Sequence, residues 1–454
     1  MSTKESKINK DFTRGPIAGP LIRFTFPVLV ALMLQSLYGA VDLLVVGNYG
    51  TEADISGVST GSQLMMTFTN LVASFSMGTT ILLGQKLGAG KTSAGGRIIG
   101  TSICLFTTIG LALTVLLTVF APQLASLLQA PAEAYSATVT YIRICGAAMP
   151  IIIAYNLIGS VFRGIGDSKT PLATVAIACV VNIVGDMVLV AGFKMGAAGA
   201  AIATAAAQLV SVLASYFIIR RLKLPFKVDK SCIRPVKVIA ARVVKLGAPL
   251  ALSDILVSIS FLVILGIVNS LGLEVSSGVG IAEKVCAFIM LVSVSFMDSM
   301  AAFVAQNYGA GLIDRSVKTL KIGLLLSFVS GIIMFFVSFY FGNVLASIFT
   351  DDIALITIAH EYLKAYAFDC VLTAFLFCFV GFFNGVGKTK FVMAQGIIGA
   401  FCVRVPVSFY MSRLVPVSVF KIGLATPIST VIQITLAVIV FVRFLKSHRT
   451  ESAN

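Results

Sequence analysis

At 454 residues, with 58% hydrophobic and 12% charged side chains and a mean hydropathy of +1.00, the chain has too few polar groups to cover a folded surface in water. That excludes a soluble globule and makes lipid the solvent. The formal net charge of +15 would suggest nucleic acid on a soluble protein. Here the basic residues sit in short loops between apolar segments, so the expected partner is the anionic face of a lipid bilayer and not nucleic acid.

After a polar, basic tail, Met1–Arg14, apolar runs follow over 21–48, 57–83, 98–120, 137–161, 171–191, 198–219, 240–269, 278–304, 319–349, 356–383, 391–413 and 422–445. The first run is too long for a signal-peptide core and lacks a small-residue cleavage site, so no leader is expected to be removed. The runs are long enough to cross a hydrocarbon core of roughly 30 Å. In lipid the backbone must satisfy its own N–H and C=O groups, which leaves helices or closed barrels, and continuous rather than alternating runs select helices. The expected fold is an all-α polytopic membrane protein of about twelve transmembrane helices.

Lys and Arg orient it. Lys4, Lys7, Lys10 and Arg14 mark the N-terminus, Lys86, Lys91 and Arg97 the second loop, and Arg163 and Lys169 the fourth. The sixth loop carries Arg220, Arg221, Lys223, Lys227, Lys230, Arg234 and Lys237. Arg315, Lys318 and Lys321, then Lys388 and Lys390, then Lys446 and Arg449 complete the series. With twelve spans all of these fall on one side, opposite Glu52, Asp54, Glu133, Glu274, Asp351 and Asp352, with Lys194, Arg413 and Lys421 against the trend. Both termini are therefore expected in the cytoplasm.

The sequence also repeats itself. Phe24-Thr-Phe-Pro27 opens the first run and Leu246-Gly-Ala-Pro249 the seventh (249 − 27 = 222). Gly84-Gln-Lys-Leu-Gly-Ala-Gly90 matches Ala305-Gln-Asn-Tyr-Gly-Ala-Gly311 (306 − 85 = 221). Phe162-Arg-Gly-Ile-Gly-Asp-Ser-Lys169 matches Phe383-Asn-Gly-Val-Gly-Lys-Thr-Lys390 (385 − 164 = 221). Six helices per half bring both halves in from the same side, as parallel repeats. The expected organisation is an N-terminal six-helix lobe at 1–219, a cytoplasmic linker at 220–242 and a C-terminal six-helix lobe at 243–454.

Ionisable side chains are expensive inside a membrane, so each is a functional candidate. Asn182 and Asp186 are four apart and share one helix face. Counting at 1.5 Å per residue, Asp42, Asp186 and Thr204 each lie roughly 9 Å below the outer surface, on three different helices. Two carboxylates in a low-dielectric site require a proton or a cation between them. Oxygen ligands from Asp, Asn and Thr suit a hard cation such as Na+. The same residues could instead serve as hydrogen-bonding glue between helices. In the second half the candidates are Asp254, Asp298, Asp369 and Arg404, the last two as an internal ion pair, with a structural role as strong as a direct one. Asn156, nearer the inner end, reads as interhelical glue. Met65, Met66, Phe68 and Phe75 could line an adaptable apolar cavity, or simply pack.

No catalytic constellation accompanies them. His360 and His448 are the only histidines, there is no phosphate loop, and the glycines at 164–166 and 385–387 follow no strand, so neither an enzyme nor an ATP-driven pump is expected. The eight cysteines form no CxxC pair, and Cys104, Cys179, Cys286 and Cys378 lie in apolar runs as small hydrophobes.

Four segments together resemble the multidrug and toxic-compound extrusion (MATE) family over essentially the whole chain. They are Gln35-Ser-Leu-Tyr-Gly-Ala-Val-Asp42, Arg163-Gly-Ile-Gly-Asp-Ser-Lys-Thr-Pro171 with Asn182-Ile-Val-Gly-Asp186 after it, Gly196-Ala-Ala-Gly-Ala-Ala-Ile-Ala-Thr204, and Ala305-Gln-Asn-Tyr-Gly-Ala-Gly311. The resemblance implies a V-shaped fold of two pseudo-symmetric six-helix lobes. It implies a monomeric, multi-pass antiporter of the bacterial inner membrane that exports cationic amphipathic drugs or toxins by alternating access. No cofactor is implied beyond Na+ or H+ as coupling ion. Asp42, Asn182, Asp186 and Thr204 match the N-lobe cation-site pattern of prokaryotic members. A second branch places a glutamate and an aspartate where this chain has Val257 and Thr373, so its C-lobe site does not carry over; the sequence is closer to the DNA-damage-inducible exporters. A lipid-linked precursor flippase of the same superfamily is the rival, although such proteins tend to have extra helices and basic cavities.

The charge pattern makes the topology testable in a cysteine-depleted background. Single cysteines at Lys7 and Lys230 are expected to resist an impermeant thiol reagent added outside intact cells, while one at Asp54 labels; the reverse pattern overturns both orientation and helix count.

Overall fold

The computed structural model describes residues 11–221, 224–226 and 229–451; Lys4, Lys7, Lys10, Lys223 and Lys227 lie outside these. Among the described residues all regular structure is helical. In chain order the helices are α1 (Ala18–Tyr49), α2 (Glu52–Gly88), α3 (Ser93–Val119), α4 (Ala121–Leu127), α5 (Tyr135–Ala147), α6 (Met149–Gly164), α7 (Lys169–Asp186) and α8 (Gly196–Arg221). There follow α9 (Lys237–Asn269), α10 (Leu273–Gly309), α11 (Ile313–Ala346), α12 (Ile353–Val386), α13 (Thr389–Ile397), α14 (Val405–Ser412), α15 (Val419–Gly423) and α16 (Ala425–Glu451). Among the described residues eleven spans are long and apolar enough to cross a membrane, twelve when the bent pair α5–α6 is counted as one span.

That pair corrects one expectation. The run 137–161 is not a single straight helix but bends by 54° between α5 and α6. Pro150 stands in the first turn of α6, where it has no N–H to give the carbonyl four residues back and its ring crowds that carbonyl. Two further spans change pitch internally: α7 runs on into a π-helical turn, Met187–Gly192, and α13 into another, Ile398–Arg404. Such turns widen the helix locally and re-aim the side chains beside them.

The chain divides into two compact units. The first gathers Ile22–Ala251, Ala305–Leu312 and the stretch ending at Gly15; the second holds Pro16–Leu21, Leu252–Val304 and the chain from Ile313 onward. In the first, Val46, Val58, Leu83, Ile98, Phe106 and Ile142 form the apolar core, and in the second Val268, Val279, Ala282, Leu363 and Ile422. The repeat noted in the sequence recurs in how helices touch. Gly57 lies against Ala137 and Gly278 against Ile358, both pairs shifted by 221 (278 − 57 and 358 − 137). Gly110 lies against Pro150 and Gly331 against Val371, at the same shift. Where the first half links Ser76 to Ser160 by a 2.6 Å hydrogen bond, the second sets Gly381 directly on the backbone of Met297 (297 − 76 = 381 − 160 = 221).

One polar tie fixes the start of two helices at once. Thr51 and Asp54 form a capping box on α2: the Asp54 N–H donates to Thr51 Oγ1 at 3.2 Å and the Thr51 N–H to Asp54 Oδ2 at 3.1 Å. The other oxygen, Oδ1, accepts the Ala197 N–H at 2.9 Å and so holds the first turn of α8. Gly196 makes this possible, because its φ of +53° and its place against the Asp54 carboxylate leave no room for a Cβ. Asp54→Ala is expected to cost about 1–2 kcal/mol by loss of the cap, lowering the Tm of the detergent-solubilised protein. Asp54→Asn keeps one acceptor oxygen but turns an NH2 on the other N–H, and is expected to recover only part of it.

Candidate functional site

Four residues from three helices of the first unit meet in one place. Asp42 comes from the last third of α1, Asn182 and Asp186 from successive turns of α7, and Thr204 from the third turn of α8. Asp42, Asn182 and Asp186 are 4%, 0% and 0% exposed. Thr204 is the hub: its hydroxyl donates to Asp42 Oδ2 at 3.1 Å and accepts from Asn182 Nδ2 at 3.5 Å. The Asp186 and Asp42 carboxyls act on each other through charge, and no hydrogen bond joins them. The π turn begins at the residue after Asp186, and the Asp54–Ala197 tie sets the register of α8 ahead of Thr204.

The chemistry of this group is incomplete as it stands. Asp42 Oδ1, Asn182 Oδ1 and both Asp186 oxygens are buried without a hydrogen-bond donor. Two facing carboxylates are acceptors only, so they cannot bond each other unless one carries a proton. A proton shared between Asp42 and Asp186 supplies that bond; alternatively a hard cation satisfies all the oxygens together. Either occupant removes a cost of the kind that unpartnered buried polar groups impose. Among the described residues no three His, Cys, Asp or Glu gather into a softer metal set.

Around the four stand residues that spacing alone did not single out. Tyr141 on α5 and Tyr38 on α1 lie near enough to Asp42 to feel its charge, and Gln35 Nε2 donates to the Tyr155 hydroxyl at 2.6 Å. Tyrosine in an apolar run gives no periodic signal; only the tertiary structure brings Tyr38 and Tyr141 near Asp42.

The remaining sequence candidates fall elsewhere. Asn156 Nδ2 donates to the Ile152 carbonyl of its own helix at 2.9 Å, a local back-bond. Met65 is buried in the apolar core, Phe68 packs against it, Phe75 sits edge-on to Phe106 at 5.3 Å, and Met66 is exposed. In the second unit Asp254 and Asp298 lie on α9 and α10. Asp369 and Arg404 share a neighbourhood, but neither Asp369 oxygen has a hydrogen-bond partner, and the Arg404 guanidinium stands over the Phe261 ring at 4.5 Å. The expected Asp369–Arg404 pair is therefore not joined by a hydrogen bond. Glu283 on α10, with one carboxyl oxygen buried and unbonded, carries the same intramembrane signal as Asp254 and was absent from the expectations.

Comparison with known proteins bears on the whole chain. The MatE family model matches residues 27–188 and again 249–410. The probable multidrug resistance protein YoeA of Bacillus subtilis is 26% identical over 443 residues, 96% of each chain. The multidrug export protein MepA of Staphylococcus saprophyticus is 25% identical over 410 residues, 89% of each. A solved outward-facing structure of a multidrug resistance MATE family transporter superposes with a TM-score of 0.90 at 18% identity, covering 99% of this chain and 100% of that one.

Removing the hub hydroxyl tests the geometry. Thr204→Val leaves Asp42 Oδ2 without its donor and is expected to cost about 1–3 kcal/mol, seen as a lower Tm. Thr204→Ser is expected to restore the wild-type value; an unchanged Tm in Thr204→Val would mean the hydroxyl holds nothing.

Proposed function

The chain belongs to the MatE family of multidrug transporters, and from that premise we propose that it is a secondary antiporter. It exports cationic, amphipathic drugs or toxins in exchange for Na+ or H+, working as a monomer in the inner membrane of a bacterium with both termini in the cytoplasm. The two halves 1–219 and 243–454 act as its lobes and 220–242 as their linker.

One observation carries this reading: Asp42, Asn182, Asp186 and Thr204 converge on a buried spot where four oxygens lack partners. Such a spot is stable only when a proton or cation occupies it, so its occupancy changes the charge of the lobe. Ion binding then favours one arrangement of α1, α7 and α8, and a cationic drug favours the arrangement in which the carboxylates are free. A ligand shifts such an equilibrium only by its differential affinity for the two states. Ion and drug are thereby exchanged without ATP.

In proteoliposomes, separate Na+ and pH gradients are expected to drive dye efflux in only one of the two cases, which names the coupling ion. Asp42→Asn is expected to abolish coupled efflux while the protein remains folded in the membrane, Asp186→Asn to behave similarly, and Asn182→Ala to be milder. With purified protein the apparent Kd for a cationic dye rises as the coupling ion is added, by about tenfold at an ion concentration about ten times its own dissociation constant. The dependence disappears in Asp42→Asn. Dye affinity indifferent to both ions refutes competition at this site. A lipid-precursor flippase, the rival, would leave dye accumulation in cells unchanged.

A further inference from the structure

Beside the polar residues of the ion site lies an uncharged contact that the mechanism has not used. α7 and α8, both in the first unit, run antiparallel and touch at small residues. Ser211 Oγ donates to the Thr174 carbonyl at 3.0 Å and Asn182 Nδ2 to Thr204 Oγ1 at 3.5 Å. Further along, a Cβ on Gly199 would stand 3.1 Å from the Val190 side chain and 3.3 Å from the Leu189 backbone. Between those points Gly185 faces Ala203, where a Cβ would stand 2.9 Å from the alanine Cβ and 3.3 Å from its Cα. Ala203 is 1% exposed, so such crowding has no free side to relax into. Carbon atoms in easy contact stand roughly 3.5–4.0 Å apart, so a methyl group at 185 would push α7 off α8 by roughly 0.6–1.1 Å (3.5 − 2.9 to 4.0 − 2.9). Gly185 is the residue before Asp186, and Ala203 the residue before Thr204. Shifted by 221, the pair falls on Pro406 and Leu424 (185 + 221 and 203 + 221), so the half without the four polar residues also lacks their small neighbours.

We propose that Gly185 is a positioning residue of the ion site: by letting α7 rest directly on Ala203, it sets how far Asn182 and Asp186 stand from Thr204 and Asp42, and with that the affinity for the coupling ion. The proposal rests on the exchange reading above. Asp42 is tied to α8 through the Thr204 hydroxyl at 3.1 Å, whereas Asn182 and Asp186 travel with the α7 backbone. An occupant that needs oxygens from both sides therefore depends on the gap between the two helices. Binding constellations work when held within roughly 0.5 Å of their geometry, which is less than the displacement a methyl group would force. The Asn182–Thr204 bond, at 3.5 Å, is already at the limit of a hydrogen bond and would not survive it.

Adding one methyl group and then moving it tests the proposal. Alanine is a better helix former than glycine, so Gly185→Ala keeps α7 itself. Purified protein is titrated with Na+ at fixed pH, and with acid at fixed Na+, with ethidium as the cationic dye. In Gly185→Ala the ion concentration that weakens dye binding twofold is expected to rise by about 10–100-fold, the usual effect of disturbing a ligand's support. Dye affinity in the ion's absence is expected to change far less. Gly185→Ala with Ala203→Gly moves the methyl across the contact, where its nearest neighbour becomes the residue 203 Cα at 3.3 Å, and is expected to restore most of the ion affinity. An unchanged ion dependence in Gly185→Ala, a loss that the double variant leaves in place, or dye affinity lowered equally with and without ion overturns the proposal. A second measurement needs no exchange. Thr204→Val is expected to lower the Tm less in a Gly185→Ala background than in the wild type, because part of what it removes is already broken; an equal loss overturns the spacing. A wild-type protein whose dye binding ignores both ions overturns the exchange reading instead, and the Tm comparison still decides the spacing.

Discussion

Lipid supplies no hydrogen bonds, so every polar group carried into it must find its partner inside the protein. The helices answer this for the backbone. Hydroxyls answer it locally, by donating to a carbonyl one turn back, as Thr67 does to Gln63, Ser299 to Ser295 and Thr319 to Arg315. Amides do the same, as Asn156 does to Ile152. Against so thorough a satisfaction, a place where several buried oxygens stay unmatched is conspicuous. Asp42, Asn182 and Asp186 make such a place, and the two carboxylates cannot satisfy each other, because they bring no protons of their own.

The positions of those oxygens depend on features well away from them. Asp186 is delivered by a regular helix that changes pitch immediately afterwards, and Thr204 by a helix whose first turn is held by Asp54 on α2. The acids thus sit where three helices of different register come to one depth. An occupant that neutralises them stabilises that register; its departure leaves repulsion and unmet acceptors, which a different helix arrangement would relieve. On the proposed mechanism this is how a local charge becomes a conformational preference, and why the site lies on helices joined by short, capped turns rather than on loops.

Much of this was legible in the residues. Apolar run length gave the spans, and equal counting of depth along runs 1, 5 and 6 picked out Asp42, Asp186 and Thr204 before any coordinates. That worked because helical rise is nearly constant and the turns between these runs are short. The bend at Pro150 was missed because composition sees apolar content, not backbone hydrogen bonds; the proline itself was the available signal. Tyr38, Tyr141 and Tyr155 were missed for a different reason. Which face of a helix meets another is decided by packing, and a helix with apolar residues all round carries no stripe to show it. Asp369 and Arg404, offered as a possible pair on economy of charge, do lie close enough to act on each other, while the guanidinium also stands over the Phe261 ring.

The repeat sharpens what the site means. Helix contacts recur at a shift of 221 down to individual glycines, so the halves share one packing plan. The polar set does not recur. Shifted by 222 in the first helix and 221 elsewhere, Asp42, Asn182, Asp186 and Thr204 fall on Ile264, Val403, Val407 and Ala425, all apolar. Conversely Asp369 falls on Ala148, the residue at the α5–α6 break (369 − 221 = 148), and Glu283 on Ser62 (283 − 221 = 62). If the four residues were interhelical glue, the same helix pairs in the second half would need similar glue, since they pack by the same plan. The second half has polar ties of its own at other positions, such as the Ser429 hydroxyl donating to the Gly399 carbonyl at 2.7 Å. The cluster at these four positions is therefore particular to the first half. On the proposed mechanism, an ion bound there would satisfy the oxygens left without donors.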